Sequence, residues 1–221
     1  MILVVLTCAF VSCGEPEEER DYLTYAEYME AAIDEEVTIV AYVQATQSWW
    51  NNKITAYLQD QDGGYFVYEM ACSEEDAAKL TAGKKIKVTG KKAEWDGEVE
   101  IMNPTFEFVV GGDTFVAEPK DVTSLIGTDD LIKDMNKLVS FKGMTVKSIS
   151  YKNDEPGDDI YVTLTKGENE VSFCVERYLT APDTEVYTTV QALAEGDVVD
   201  VEGFLYWYNG ANTHITSITK K

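Results

Sequence analysis

The sequence predicts a mainly β protein of two tandem units with five strands each, behind a short N-terminal helix. Three observations predict it. Apolar and polar residues alternate with period two over most of the chain, as they do on strands whose successive side chains face opposite ways. An order of three strands, a helix and two strands occurs twice, and matching residues of the two halves stand at one fixed offset. The 221 residues suffice for one or two domains, at roughly 100 to 200 residues each. A content of 45% hydrophobic and 11% aromatic residues supplies cores for both.

Residues 1–13 carry no charge and run apolar from Ile2 to Leu6, ending in Ser12-Cys13-Gly14. This stretch resembles a bacterial lipoprotein signal, departing from that pattern in its Phe10 and in having no basic residue before Arg20. The resemblance implies a signal peptide over 1–12, lipidation at Cys13, and an extracytoplasmic protein held to the bacterial cell envelope by acyl chains. The alternative is an apolar N-terminal strand containing Cys8 and Cys13. The acidic, Pro-bearing run 15–21 cannot bury and suits a solvated tether, so 13–35 reads as tether plus helix. It is similar to segments that accompany export to the outer surface in some diderm bacteria.

The helix is signalled by Thr24-Tyr25-Ala26-Glu27, a capping box, and is expected to run to about Asp34 with Tyr25, Tyr28, Met29 and Ala32 on one face. Val37, Ile39, Ala41 and Val43 alternate along a first strand, and 53–58 forms a second after a polar break. Asp60-Gln61-Asp62-Gly63-Gly64 supplies a turn into a third strand at 65–68, and Ser73 caps a helical turn. Residues 84–90 make a fourth strand, Asp96-Gly97 a hairpin turn, and 98–101 with 106–109 finish the unit. The motif Leu80-x-x-Gly83-x-x-Ile86-x-Val88-x-Gly90 returns as Leu193-x-x-Gly196-x-x-Val199-x-Val201-x-Gly203, and Gly97 returns as Gly210. The second copy's strands are then expected at 139–146, 160–164 and 171–175, and its helix at 189–194. The units occupy 36–110 and 137–221, joined by a Gly- and Pro-bearing linker over 111–136.

This element order, with Leu58-x-Asp60-x-Asp62-Gly63-Gly64 and the repeated Leu-x-x-Gly motif, resembles the OB-fold, a five-stranded Greek-key barrel. The whole resembles bacterial lipoproteins with tandem OB-fold domains. The second copy departs from the turn motif, with Lys166-Gly167-Glu168-Asn169 in its place. The resemblance implies a ligand face on the second and third strands, rimmed by two loops. In the first copy that face and rim hold Trp49, Trp50, Asn51, Tyr57, Tyr65, Tyr68 and Trp95; in the second, Tyr206 and Tyr208. Adjacent Trp49 and Trp50 cannot both point inward from a regular strand. Aromatic planes beside amides and carboxylates can stack on a sugar ring or fill a protein contact, so the expected partner is a glycan or a surface protein. The same rings could instead cap a barrel or fill the contact between the units.

The charge sum of 18 basic and 40 acidic residues, net -22, opposes docking on phosphate backbones, which leaves single-stranded nucleic acid as the lesser alternative. Its one basic cluster is Lys84, Lys85, Lys87, Lys91 and Lys92, which alternation turns into a small stripe or simply an exposed soluble strand. Asp60 and Asp62 are explained by the turn and Asp154, Glu155, Asp158 and Asp159 by a solvated loop, so no metal or cofactor is expected. One histidine, His214, and no nucleophile elbow argue against catalysis. Cys72 and Cys174 read as small buried hydrophobes.

Overall fold

The computed structural model describes residues 20–221, so the signal expected at 1–12 and the lipidation site Cys13 lie outside the described residues. The first element, α1 (Tyr25–Glu30), starts where Thr24 and Glu27 cap each other's backbone N–H groups. It ends at Ala31, short of Asp34, and buried Lys92 donates to the carbonyls of Tyr28, Met29 and Ala31 at 2.7 to 2.8 Å. A lysine there satisfies the carbonyls that a helix end leaves without partners. Of the face expected to pack, Tyr28 is buried while Met29 is open to solvent.

The first barrel comprises β1 (Glu36–Thr46), β2 (Lys53–Gln59), β3 (Gly64–Ala71), β4 (Lys85–Trp95) and β5 (Glu98–Phe108), with α2 (Glu74–Ala77) between β3 and β4. The strand order β1-β2-β3-β5-β4 closes through β1 on β4, and only β3 and β5 run parallel. That order and the helix position are those of the OB-fold. Alternation drives Val37, Ile39, Ala41 and Val43 inward against Ile54, Val67, Ile86, Val88 and Ile101. At the turn, Asp60 accepts from the N–H groups of Asp62 and Gly63, the bonding an aspartate offers to reverse a chain. β5 runs unbroken through 102–105, between the two stretches expected at 98–101 and 106–109. Pro104 is accommodated beside a bulge between Thr89 and Lys91, where a Cβ on Gly90 would lie 2.6 Å from the proline ring.

The second barrel is built from β7 (Leu138–Tyr151), β8 (Ile160–Lys166), β9 (Asn169–Val175), β10 (Val198–Phe204) and β11 (Asn212–Lys220), after a short β6 (Lys120–Asp121) that pairs with β7. Its order β10-β11-β9-β8-β7 closes through β10 on β7 and repeats the topology of the first, so the chain carries two tandem OB-folds. The helix α3 (Glu185–Gln191) lies earlier than the expected 189–194, because Thr184 caps Tyr187 and the helix buries Tyr187 and Val190. No helix among the described residues is long and apolar enough to cross a membrane.

The segment 111–136, read from sequence as a linker, is packed against both barrels. Phe115 lies on the Tyr42 ring and Ala117 donates to Gln44, while Val122, Ile126 and Leu131 enter the second core. Lys120 Nζ meets buried Asp134 at 2.7 Å. A turn glycine of the first barrel, Gly64, touches this segment so closely that a Cβ would lie 2.3 Å from the carbonyl of Asn136. Gly64→Ala is therefore expected to cost about 1–3 kcal/mol by forcing backbone apart, measured by denaturant unfolding; an unchanged midpoint would show that the junction yields freely.

Candidate ligand groove between the barrels

Alternation that sends one set of side chains into each barrel sends the other set outward. On the first barrel the outward set of β2, β3 and β5 includes Thr55, Tyr57, Phe66, Tyr68, Glu98 and Glu100; on the second, β8, β9 and β11 present Tyr161, Cys174, Asn212 and His214. These are the faces on which an OB-fold carries ligands, and here they are turned towards one another. Where they touch, Tyr57 stacks on Phe204 at 4.5 Å and 19°, Tyr206 stacks on His214 at 4.3 Å, and Phe66 meets Tyr206 edge-on. Gln47 donates to the Tyr57 hydroxyl, which also shares a 2.7 Å bond with His214 Nδ1. Burial pushes His214 down to about 3, so the imidazole is neutral.

Beside this contact the faces part into a groove of about 1530 Å³. Trp50, Tyr68, Trp95, Tyr161, Tyr178 and Tyr208 line it, and among the described residues every exposed aromatic except Tyr22 is in that set. Trp50 is 73% exposed and Trp95 61%. The loops between the first and second strands and between the fourth and fifth strands of both barrels reach the groove, through Trp50, Trp95, Asp159 and Tyr208.

The residues singled out from sequence divide accordingly. Trp50, Tyr68, Trp95, Tyr206 and Tyr208 come together in the groove. Trp49 packs on the first core and its Nε1 donates to the Cys72 carbonyl at 2.8 Å. Asn51 is exposed in the turn after it, at φ 50° and away from the groove lining. Tyr57 is withdrawn into the barrel contact, and Tyr65 into the first core against Tyr25 and Tyr28, its hydroxyl donating to Asp60. Neither presents a face to a ligand, because an adjoining element covers each ring. Tyr161 and Tyr178 were missed. Outward alternation on β8 marks Tyr161, whereas Tyr178 sits in an irregular loop that no periodicity distinguishes.

The groove's electrostatics are acidic. Its lysines are taken: Lys53 by Glu69 at 2.6 Å and Lys152 by Asp159 at 2.9 Å. Three of the five lysines of the basic cluster at β4 are spent as well. Lys85 pairs with Asp113, Lys87 with Asp21, and Lys92 caps α1, which leaves no continuous stripe. Three carboxyls at the barrel contact are instead pushed up, mainly by burial: Glu98 to about 8, Glu100 to about 7 and Glu176 to about 7. Glu98 is fully buried. Its Oε2 accepts from the Trp207 N–H at 2.7 Å, while Oε1 has no hydrogen bond. Cys72 and Cys174 are buried free thiols, both pushed up by burial, and no set of three ligating side chains that could hold a metal occurs among the described residues.

No protein-family model and no curated protein matches the chain. Among solved structures it is similar to asparaginyl-tRNA synthetase from Pyrococcus horikoshii complexed with asparaginyl-adenylate, at 19% identity and TM-score 0.32, over 38% of this chain and 19% of the synthetase. It is also similar to a murine DNA binding protein bound with ds DNA, at 14% identity and TM-score 0.38, over 85% of this chain and 97% of that one. The Ifi202 HINa domain in complex with 20bp dsDNA matches at 14% identity and TM-score 0.36, over 86% and 97%. The chain thus spans about a fifth of the synthetase but nearly all of the other two. At these identities and scores the likenesses carry no weight on what the chain binds.

Because folding raises Glu98 from its ordinary 4.5 to about 8, its contribution to stability is whole below the unfolded value and is lost as pH rises through the folded one. Glu98→Gln is therefore expected to melt several degrees higher than the parent at about pH 9 and to differ little at about pH 5, since a neutral amide avoids the buried charge. Parallel thermal melts at the two pH values check this; an equal shift at both would remove ionisation as the cause.

Proposed function

We propose that this chain is a non-enzymatic, extracytoplasmic lipoprotein, anchored through Cys13 to the bacterial cell envelope, that holds a glycan in the groove between its two OB-folds. One observation carries the binding reading: the exposed aromatics of both barrels converge on a single groove. Isolated exposed rings are ordinary, but rings gathered from two domains around a shared cleft are what a ligand with stackable faces needs. Asn209, Asn212 and Gln47 line the same groove and offer amides to hydroxyl groups. Its carboxylates and paired lysines favour an uncharged or cationic chain over a phosphate backbone. The anchor rests on the uncharged residues 1–13 and the acidic run that follows them.

Intrinsic tryptophan fluorescence of the full chain, titrated with an oligosaccharide panel and with single-stranded oligonucleotides, tests the reading. A saccharide is expected to quench or shift the emission, with Trp50→Ala or Trp95→Ala weakening binding about tenfold, the worth of one lost stacking contact. Oligonucleotide binding that fades steeply with salt, in the absence of any saccharide response, would overturn it.

A further inference from the structure

The second carboxyl of the outward β5 row, Glu100, is only 5% exposed, yet it lines the groove and makes no hydrogen bond or ion pair to any described residue. A carboxylate in that position has lost most of its water and gained no partner, a cost that folding alone does not recover. The two lysines that line the groove are committed, since Lys53 is bound to Glu69 and Lys152 to Asp159. Glu98, deeper on the same strand, is engaged with the Trp207 N–H. Around Glu100 stand Tyr68 and Tyr206, both close enough for its charge to raise their hydroxyl pKa values, and Trp95 opens onto the same groove. A buried anion in a groove lined by aromatic rings is an arrangement that can receive an organic cation: a ring that turns its face to the cation attracts it through its quadrupole, and the carboxylate closes the charge-assisted bond.

We propose that the groove selects a glycan carrying free amino groups, and that Glu100 is the counter-ion of a sugar ammonium seated between Tyr68 and Tyr206. This rests on the glycan reading above and specifies its substrate class. Burial pushes the Glu100 carboxyl up to about 7, and an ammonium beside it would favour the ionised form. A neutral sugar supplies the stacking but leaves this group unsatisfied, which is the asymmetry that makes a polar anchor selective. The three-ligand cluster that a metal would require is absent among the described residues, so an organic cation suits the site better than an inorganic one.

The test compares two probes of one backbone, chitosan oligomers with free ammonium groups and chitin oligomers with the same groups acetylated, by calorimetry on the full chain at mildly acidic pH. The wild type is expected to bind chitosan oligomers about tenfold more tightly than chitin oligomers, the worth of one hydrogen bond to a charged group. Glu100→Gln should bring the two affinities to within about twofold, while Glu100→Asp, which keeps the charge, should retain part of the preference. Equal affinities in the wild type would overturn the ammonium assignment and leave the glycan reading standing. Silence with both sugars would remove both. A tri-lysine peptide binding where the sugars do not would transfer Glu100 to a basic peptide and overturn the sugar assignment.

Discussion

Tyr57 belongs to the first barrel by sequence and to the second by contact. Its ring lies flat on Phe204, and its hydroxyl sits between Gln47 and His214, so one side chain carries both the apolar and the polar half of the join. Burying an aromatic of that size and satisfying its hydroxyl in the same place fixes orientation as well as adhesion, because only one approach of the second barrel meets both requirements. The neighbouring bonds follow from that approach. Gln59 accepts from the Leu138 N–H, Glu98 from the Trp207 N–H, and the Ser48 N–H donates to the Tyr178 carbonyl, each crossing from one barrel to the other. The segment 111–136 adds a second tie through Phe115 on one barrel and Val122 and Ile126 in the other.

The groove is a consequence of that join. Two convex barrels that touch along part of their faces must diverge along the rest, and here the divergence leaves both ligand faces and the rims of four loops around one space. Rings that would be scattered on separate domains become neighbours. Its sensitivity to pH has the same origin. The outward row of β5 places Glu98 within the contact and Glu100 on the groove lining, where desolvation raises both carboxyls.

Much of the architecture could be read along the chain. The alternation at 37–43, the Asp60 turn and the capping box at Thr24 are local devices, each set by residues a few positions apart, and the strands followed from them, while the repeat that brings Gly90 back as Gly203 supplied the tandem order. Element limits that depended on distant partners did not follow. Lys92 closes α1 from more than sixty positions away, Gly90 makes room for Pro104 within a continuous β5, and Thr184 rather than a later residue caps α3.

The division at the candidate site has the same cause. By itself the sequence separated the two sides of each strand, since period two does so without knowing what lies opposite, and it marked Trp50, Tyr68, Trp95, Tyr206 and Tyr208 together with Trp49, Asn51, Tyr57 and Tyr65. Only the tertiary structure decided that Tyr57 would be covered and Tyr65 packed against Tyr25 and Tyr28, that Lys85, Lys87 and Lys92 would be spent on Asp113, Asp21 and α1, and that Tyr161, Tyr178 and Glu100 would join the same groove. Side is a property of a strand, whereas solvent exposure and counter-ions are properties of whatever packs against it, and those partners lie far along the chain.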